Sequence, residues 1–282
     1  MNLDKQHIRQ SCLSNRPPNQ SRVIDRRHFL GSAGIAGLLL PAHADSPTPT
    51  WPDERSLGPF RYHADYSLES DSRLLKHIAG MHQQLPTELG FKPNDNAIHV
   101  YLFSRQATYE RYLARFFTNV PQRRALFIKQ GGPGMVFAYR SRDFATDVRH
   151  ETTHAVLHNS LPTVPLWMDE GLAEYYEVAR DDRRLKNPHL RKVIREANRH
   201  RLPSLSRLES ITELGEMTAV EYREAFAWMH FCLHGPVAAR KILQSHLLDI
   251  SQNRPAGRFA DRVRKSMPDV EYQFFSHYRR LA

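Results

Sequence analysis

His150-Glu151-Thr152-Thr153-His154, followed by Trp167-Met168-Asp169-Glu170-Gly171-Leu172-Ala173-Glu174-Tyr175, is the stretch on which the reading of this 282-residue chain turns. On an α-helix, residues four apart sit about 40° apart around the axis, so the imidazoles of His150 and His154 project from one face and can share one cation. Glu151, one step round, is poorly placed to ligate with them but can reach a water beside the same ion and serve as general base. Val148, Ala155, Val156 and Leu157 give that helix an apolar side for docking. A catalytic zinc keeps three protein ligands and an open position, so the third ligand must come from another element. Fifteen residues lie between His154 and Glu170, room for one helix to end, the connection 162–165 to turn back, and a second helix starting at Pro165 to cross the first. Glu170 is the expected third ligand.

The neighbours of Glu170 fit the same picture. Gly171 removes a side chain where two helices must approach closely. Glu174, one turn further on, is suited to accept a hydrogen bond from the outer ring nitrogen of a ligand histidine. His158 lies too far along the axis to join His150 and His154, and reads as a surface or packed histidine. Asp169 points about 100° away from Glu170 and is the fallback ligand. A third histidine six residues after His154, with glycine at 157, would mark the metzincins; Leu157 and Ser160 exclude that class.

Working outward, 60–65 and 97–103 alternate as strands do, 73–85 carries apolar residues at helical spacing, and Ser104 is placed to cap a helix running to about 117. Residues 126–129 and 135–139 form a strand pair around Gln130-Gly-Gly-Pro-Gly134. From 143 onward the pattern is helical, at about 145–159, 166–179, 188–200, 219–234 and 236–251, with shorter pieces to the C-terminus. The fold class is α+β: a small N-terminal mixed sheet with helices leads into the active-site helix and then a mainly helical C-terminal half. Strand 135–139 could pair with an extended peptide, and its ordinary role is sheet core.

The two quoted stretches together resemble the gluzincin metallopeptidases, in particular the peptidase MA-like domains with a W-x-x-E-G-L-A-E-Y second helix. The match covers about 30 residues, and Tyr222 to Leu233 resembles the weaker downstream helix motif of that group. The resemblance implies a zincin-like fold, one zinc ion on His150, His154 and Glu170, Glu151 as general base, and hydrolysis of a peptide or protein substrate. Gluzincins commonly stabilise the oxyanion with a Tyr or His from a later helix, which points to Tyr222, with His230 as the other candidate. An ordinary packing role remains open for both. A different class, an envelope protein that binds zinc without turnover and acts as a binding or scaffold module, is disfavoured by the retained Glu151.

The N-terminus reads as an export signal. Arg26-Arg27-His28-Phe29-Leu30 leads into an apolar run, 31–40, too short to span a bilayer, and ends in the small-x-small pattern Ala42-His43-Ala44. This resembles a bacterial twin-arginine signal, with Asp25 where Ser or Thr more often precedes the pair, and cleavage is expected after Ala44. The basic region before the pair is long, which suggests a start codon downstream of Met1. The expected layout is a signal over 1–44, a linker over 45–58 that is rich in Pro, Ser and Thr at its start, and one domain over 59–282 with its α/β part ending near 160. The mature protein is then periplasmic or extracellular, with the twin-arginine translocation machinery as its partner in transit and no stable membrane span.

Charge and cysteine content exclude more than they assign. The formal net charge of +10 falls to +6 once 1–44 is removed, a mild excess. Nine Lys/Arg between Arg180 and Arg201 suit a solvated helix face, and no aromatics interleave them as in a nucleic-acid binder. Cys12 leaves with the signal, so Cys232 has no partner for an intramolecular disulfide and reads as a small buried apolar residue.

Overall fold

Period-two alternation sorts the side chains of 60–64 and 98–103 onto two faces, and the computed structural model, which describes residues 50–117 and 120–282, builds both stretches into one five-stranded sheet. The strands are β1 (Asp53–Leu57), β2 (Phe60–Ala64), β3 (Ile98–Phe103), β4 (Ala125–Ile128) and β5 (Gly134–Tyr139), in the order β1-β2-β3-β5-β4. The middle three run parallel, while β1 and β4 lie antiparallel at the two edges. Phe60, Tyr62, Ile98, Val100, Val136 and Phe127 share one core with Leu75, Ile78, Met81 and Leu85 of α1 (Ser72–Leu89). On the other face Phe103, Leu126, Ile128 and Phe137 pack against Tyr109 and Leu113 of α2 (Gln106–Phe116).

Several expectations are corrected here. The folded part begins within 45–58: β1 pairs with β2 around Gly58, because only the run before Asp53 is dominated by Pro, Ser and Thr, and Asp53-Glu-Arg-Ser-Leu57 is a charged strand suited to a sheet edge. Ser104 does not cap α2; Arg105 occupies the cap position, and the Ser104 amide donates to Asp65 Oδ1 at 2.6 Å. Pro86 removes one helix hydrogen bond but does not end α1, which continues to Gly90 with its positive φ of 80°. Strand β5 is interior, between β3 and β4, so an added peptide strand cannot pair with it.

The second half is helical throughout its regular structure: α3 (Phe144–Ser160), α4 (Leu166–Tyr176), α5 (Leu190–Asn198), α6 (Leu205–Ser210), α7 (Ala219–His234), α8 (Val237–Ser251), α9 (Phe259–Ser266) and α10 (Val270–Arg279). Among the described residues no helix is long and apolar enough to cross a membrane. Helix α3 lies on β4 and β5, α4 lies on α3, and α7 lies on α4, which places α4 between two helices with every residue from Trp167 to Tyr176 buried. Arg124, just before β4, holds the start of α3 by donating to Asp143 at 2.6 Å and to Asp147 at 2.9 Å. Helix α7 starts where it does because Thr218 and Glu221 form a capping box, the Glu221 carboxylate accepting from the Thr218 amide at 2.9 Å.

The α4–α7 contact is close enough to require a glycine. A Cβ on Gly171 would meet the Ala225 carbonyl oxygen at 2.7 Å and its carbon at 2.8 Å, atoms of a helix backbone that cannot swing aside. Gly171→Ala should therefore destabilise the chain by about 1–3 kcal/mol through overpacking. Gly80→Ala, on an exposed turn of α1 where an added Cβ meets nothing within 4 Å, should stabilise it by about 0.5–1 kcal/mol. Urea unfolding of the two variants checks the opposite signs; equal effects would refute the close-contact argument.

Candidate metal centre

Buried polar side chains concentrate where α3 crosses α4. His150, Glu151 and His154 on α3 and Glu170 on α4 are each at most 1% exposed. Glu170 Oε2 lies 3.6 Å from His150 Nε2 and 3.8 Å from His154 Nε2. Around a tetrahedral ion with ligands at about 2.0–2.1 Å, neighbouring ligand atoms stand about 3.3 Å apart. The three atoms are thus spaced to hold a metal ion with little adjustment, and the set joins the two helices as their spacing suggests. Two imidazoles and a carboxylate suit a borderline cation rather than the all-oxygen preference of calcium or magnesium.

The outer nitrogens of both histidines are held by carboxylates. His150 Nδ1 is 2.9 Å from Glu177 Oε2, and His154 Nδ1 is 2.9 Å from Asp169 Oδ1. Carboxylates in these positions fix the ring orientation and leave each Nε2 free of its proton for a metal. The other oxygen of Asp169 is 2.8 Å from His158 Nε2, and the His158 ring stacks on Phe127 of β4, so a continuous polar chain runs from His154 toward the sheet. Burial alone would lower both ligand histidines. Glu170 and Glu177 outweigh it at His150, and Asp169 with Glu170 does so at His154, so both are raised.

Glu174 does not fill the role expected of it. Its carboxylate lies in the same region, within 4.8 Å of a ring nitrogen of His150 and of a Glu177 oxygen, but its hydrogen bond at 2.9 Å is to His189 Nε2. Glu177 takes the contact with His150 because it stands seven residues after Glu170, two turns along the same side and just past the end of α4. The acidic series 170, 174, 177 is the signal that marks it. Asp169 likewise reaches the outer nitrogen of His154 rather than the ligand position.

Glu151 keeps the separate position that its place on the helix implies. Neither of its carboxylate oxygens has a hydrogen-bond partner among the described residues, and burial raises its carboxyl to about 7 against the opposing pull of His150 and His154. Tyr222 on α7 is fully buried, its hydroxyl has no hydrogen-bond partner among the described residues, and burial together with the charges of Glu170 and Glu151 raises it. Arg123, which the motif does not reveal, brings its charge close enough to lower both Glu151 and Tyr222.

His230, the other oxyanion candidate, is engaged elsewhere. Its Nε2 lies 2.9 Å from the Arg184 carbonyl and its Nδ1 lies 3.1 Å from His277 Nε2, deep in the helical core, where burial depresses it to about 4. Eight residues beyond Tyr222, it is about 80° round the helix from it. Cys232 is buried with its thiol pushed up to about 12 by burial, as an unreactive packing residue requires. No known protein family matches the chain, and no curated protein sequence is significantly similar to it.

Equilibrium dialysis against zinc should give about one ion per chain for wild type and for Glu151→Gln. His150→Ala and Glu170→Ala should abolish tight binding, while Glu177→Gln and Asp169→Asn should weaken it by about 10–100-fold each. Undiminished affinity in the last two would show that the outer carboxylates do not orient the ligands.

Proposed function

We propose that the chain is an exported zinc-dependent metallohydrolase of gluzincin type that cleaves peptide bonds. The observation that carries this reading is the pairing of a three-ligand set from two crossed helices with a carboxylate, Glu151, that neighbours the ligands and is tied to none of them by a hydrogen bond. A zinc ion held by His150, His154 and Glu170 supplies Lewis-acid polarisation of a carbonyl and makes water acidic enough to lose a proton near neutral pH. The remaining work falls to side chains. Glu151 accepts the proton of the attacking water and passes it to the departing amine nitrogen. Tyr222 can donate its hydroxyl to the oxygen on which negative charge develops. Glu177 and Asp169 keep the two imidazoles in one orientation throughout. For an extended peptide, β4, the edge strand beside β5 and under α3, can accept a partner in the place expected of β5.

A second reading rests on the burial of the centre. With every candidate ligand at most 1% exposed, a metal here could serve stability alone, in an envelope binding or scaffold module. Activity separates the two. On a broad peptide library, Glu151→Gln should retain its zinc and lose about 10²–10⁴-fold in kcat. Tyr222→Phe should lose about 10²–10³-fold in kcat with KM little changed. A zinc-loaded wild type that cleaves nothing in the library, matched by Glu151→Gln, would favour the scaffold.

The export signal lies outside the described residues, and export by the twin-arginine route is part of the same proposal. Its motif is Arg26-Arg27 ahead of the apolar run 31–40 and Ala42-His43-Ala44. Replacing both arginines by lysine keeps the charge and removes the pair that the translocase reads. The variant should accumulate uncleaved in the cytoplasm while wild type appears outside it, cut after Ala44; equal export of the two would eliminate this route.

A further inference from the structure

We propose that the cavity between α5, α7 and α10 binds a small amphiphilic carboxylate, at a site distinct from the metal centre. The cavity has a volume of about 290 Å³, near the lower end of ligand sites, which run from about 300 to 1,000 Å³. Its floor is apolar and buried, made by Val193 of α5, Ala227 of α7 and Phe274 of α10, and Leu202 and Pro203 continue the wall. Val220 stands at the rim, 41% exposed.

The charges around the cavity select the ligand's sign. Its two carboxylates are already matched: Glu196 by Arg201 at 3.1 Å and Glu224 by Arg207 at 2.5 Å. Lys192 and Arg223 also line it, and neither forms a salt bridge among the described residues; the contact of the Arg223 guanidinium is with the Ala219 carbonyl at 3.2 Å. Two cations not matched by acids over an apolar floor complement a carboxylate head on a short apolar body. A neutral apolar molecule would leave them unmatched, and a cation would be repelled. Arg223 and Val220 turn to this side of α7 while Tyr222 faces the metal centre, so the two sites lie on opposite sides of one helix. The inference does not depend on the proposed hydrolase activity.

A reporter is built in. Trp228 packs against Phe274 at 5.0 Å between ring centroids, and its indole nitrogen donates to the Pro203 carbonyl at 3.0 Å, so two of its neighbours line the cavity. Titration of the full chain with sodium octanoate, followed by calorimetry and tryptophan emission, should give saturable one-to-one binding with an emission change that Trp228→Phe removes while the heat of binding persists. Octylammonium and octan-1-ol should each bind at least about tenfold more weakly, and the double variant Lys192→Glu/Arg223→Glu should weaken octanoate by about tenfold or more. Lys192 is exposed and Arg223 half-buried, and an unchanged thermal melt confirms that the variant is folded. Absence of saturable octanoate binding, equal binding of octylammonium, or full affinity in the folded double variant would each overturn the proposal.

Discussion

Everything else in the molecule answers to one electrostatic constraint, the burial of ionisable groups where α3 crosses α4. An isolated charge or unpaired polar atom in such an interior costs several kcal/mol, so groups of this kind persist when they neutralise one another or bind an ion. His150, His154, Glu170, Asp169 and Glu177 meet the requirement together: each histidine has an acid on its outer nitrogen, and one further acid lies between the two inner nitrogens. Removal of any single member strands its partner as a buried charge, so the network is fragile in its parts and specific as a whole. Glu151 is the exception that the network leaves aside, buried with neither carboxylate oxygen hydrogen-bonded among the described residues.

Helix α4 carries this burden because it is enclosed. Its inner side supplies Glu170 and Asp169 to α3, while Gly171 lets the Ala225 backbone of α7 approach within contact distance. The same closeness brings Tyr222, three residues before Ala225, over the centre. A bulkier residue at 171 would move α7 outward and Tyr222 with it, so the position of the third helix is set by a missing side chain. The sheet acts from the other side: Arg124 ties the edge strand to the first turn of α3, and Phe127 supports the His158 ring, which in turn holds Asp169.

How far the sequence reveals this depends on the range of the interaction involved. Alternation in 60–64 and 98–103 and helical spacing in 145–159 and 219–234 report local burial, and the elements fall there to within a residue or two. The ligand triplet is legible for the same reason, because a four-residue spacing and a sufficient connection to Glu170 are local facts. Sheet order is not local: β5 lies beside β3 as well as β4 because the crossover through α2 returns the chain beyond it, and nothing in 135–139 signals an interior place. The partners of the outer nitrogens depend on the crossing of two helices, so Glu177 rather than Glu174 meets His150, although all three acids lie along one side. Asp169 shows how an angular argument can be sound and incomplete: its offset from Glu170 removes it from the ligand position and delivers it to His154 Nδ1.

The two sides of α7 illustrate a division that follows from the same physics. Toward α4 the helix faces a region where acids and histidines have had to find partners, and Glu151 and the Tyr222 hydroxyl are among the groups left without a hydrogen bond among the described residues. Toward α5 and α10 it faces a partly open space in which the acids are already matched and two cations are not. One side therefore holds an acceptor and a hydroxyl donor beside a place for a positive ion, and the other holds positive charge over a greasy floor. A single amphipathic stripe would produce neither arrangement, since it would bury apolar residues on one side and solvate charge on the other. Helix α7 instead buries Tyr222, Ala225 and Phe226 toward one neighbour and Ala227 and Trp228 toward another, which is why its sequence is apolar almost all round from Ala225 to Leu233 and why its few polar residues are informative.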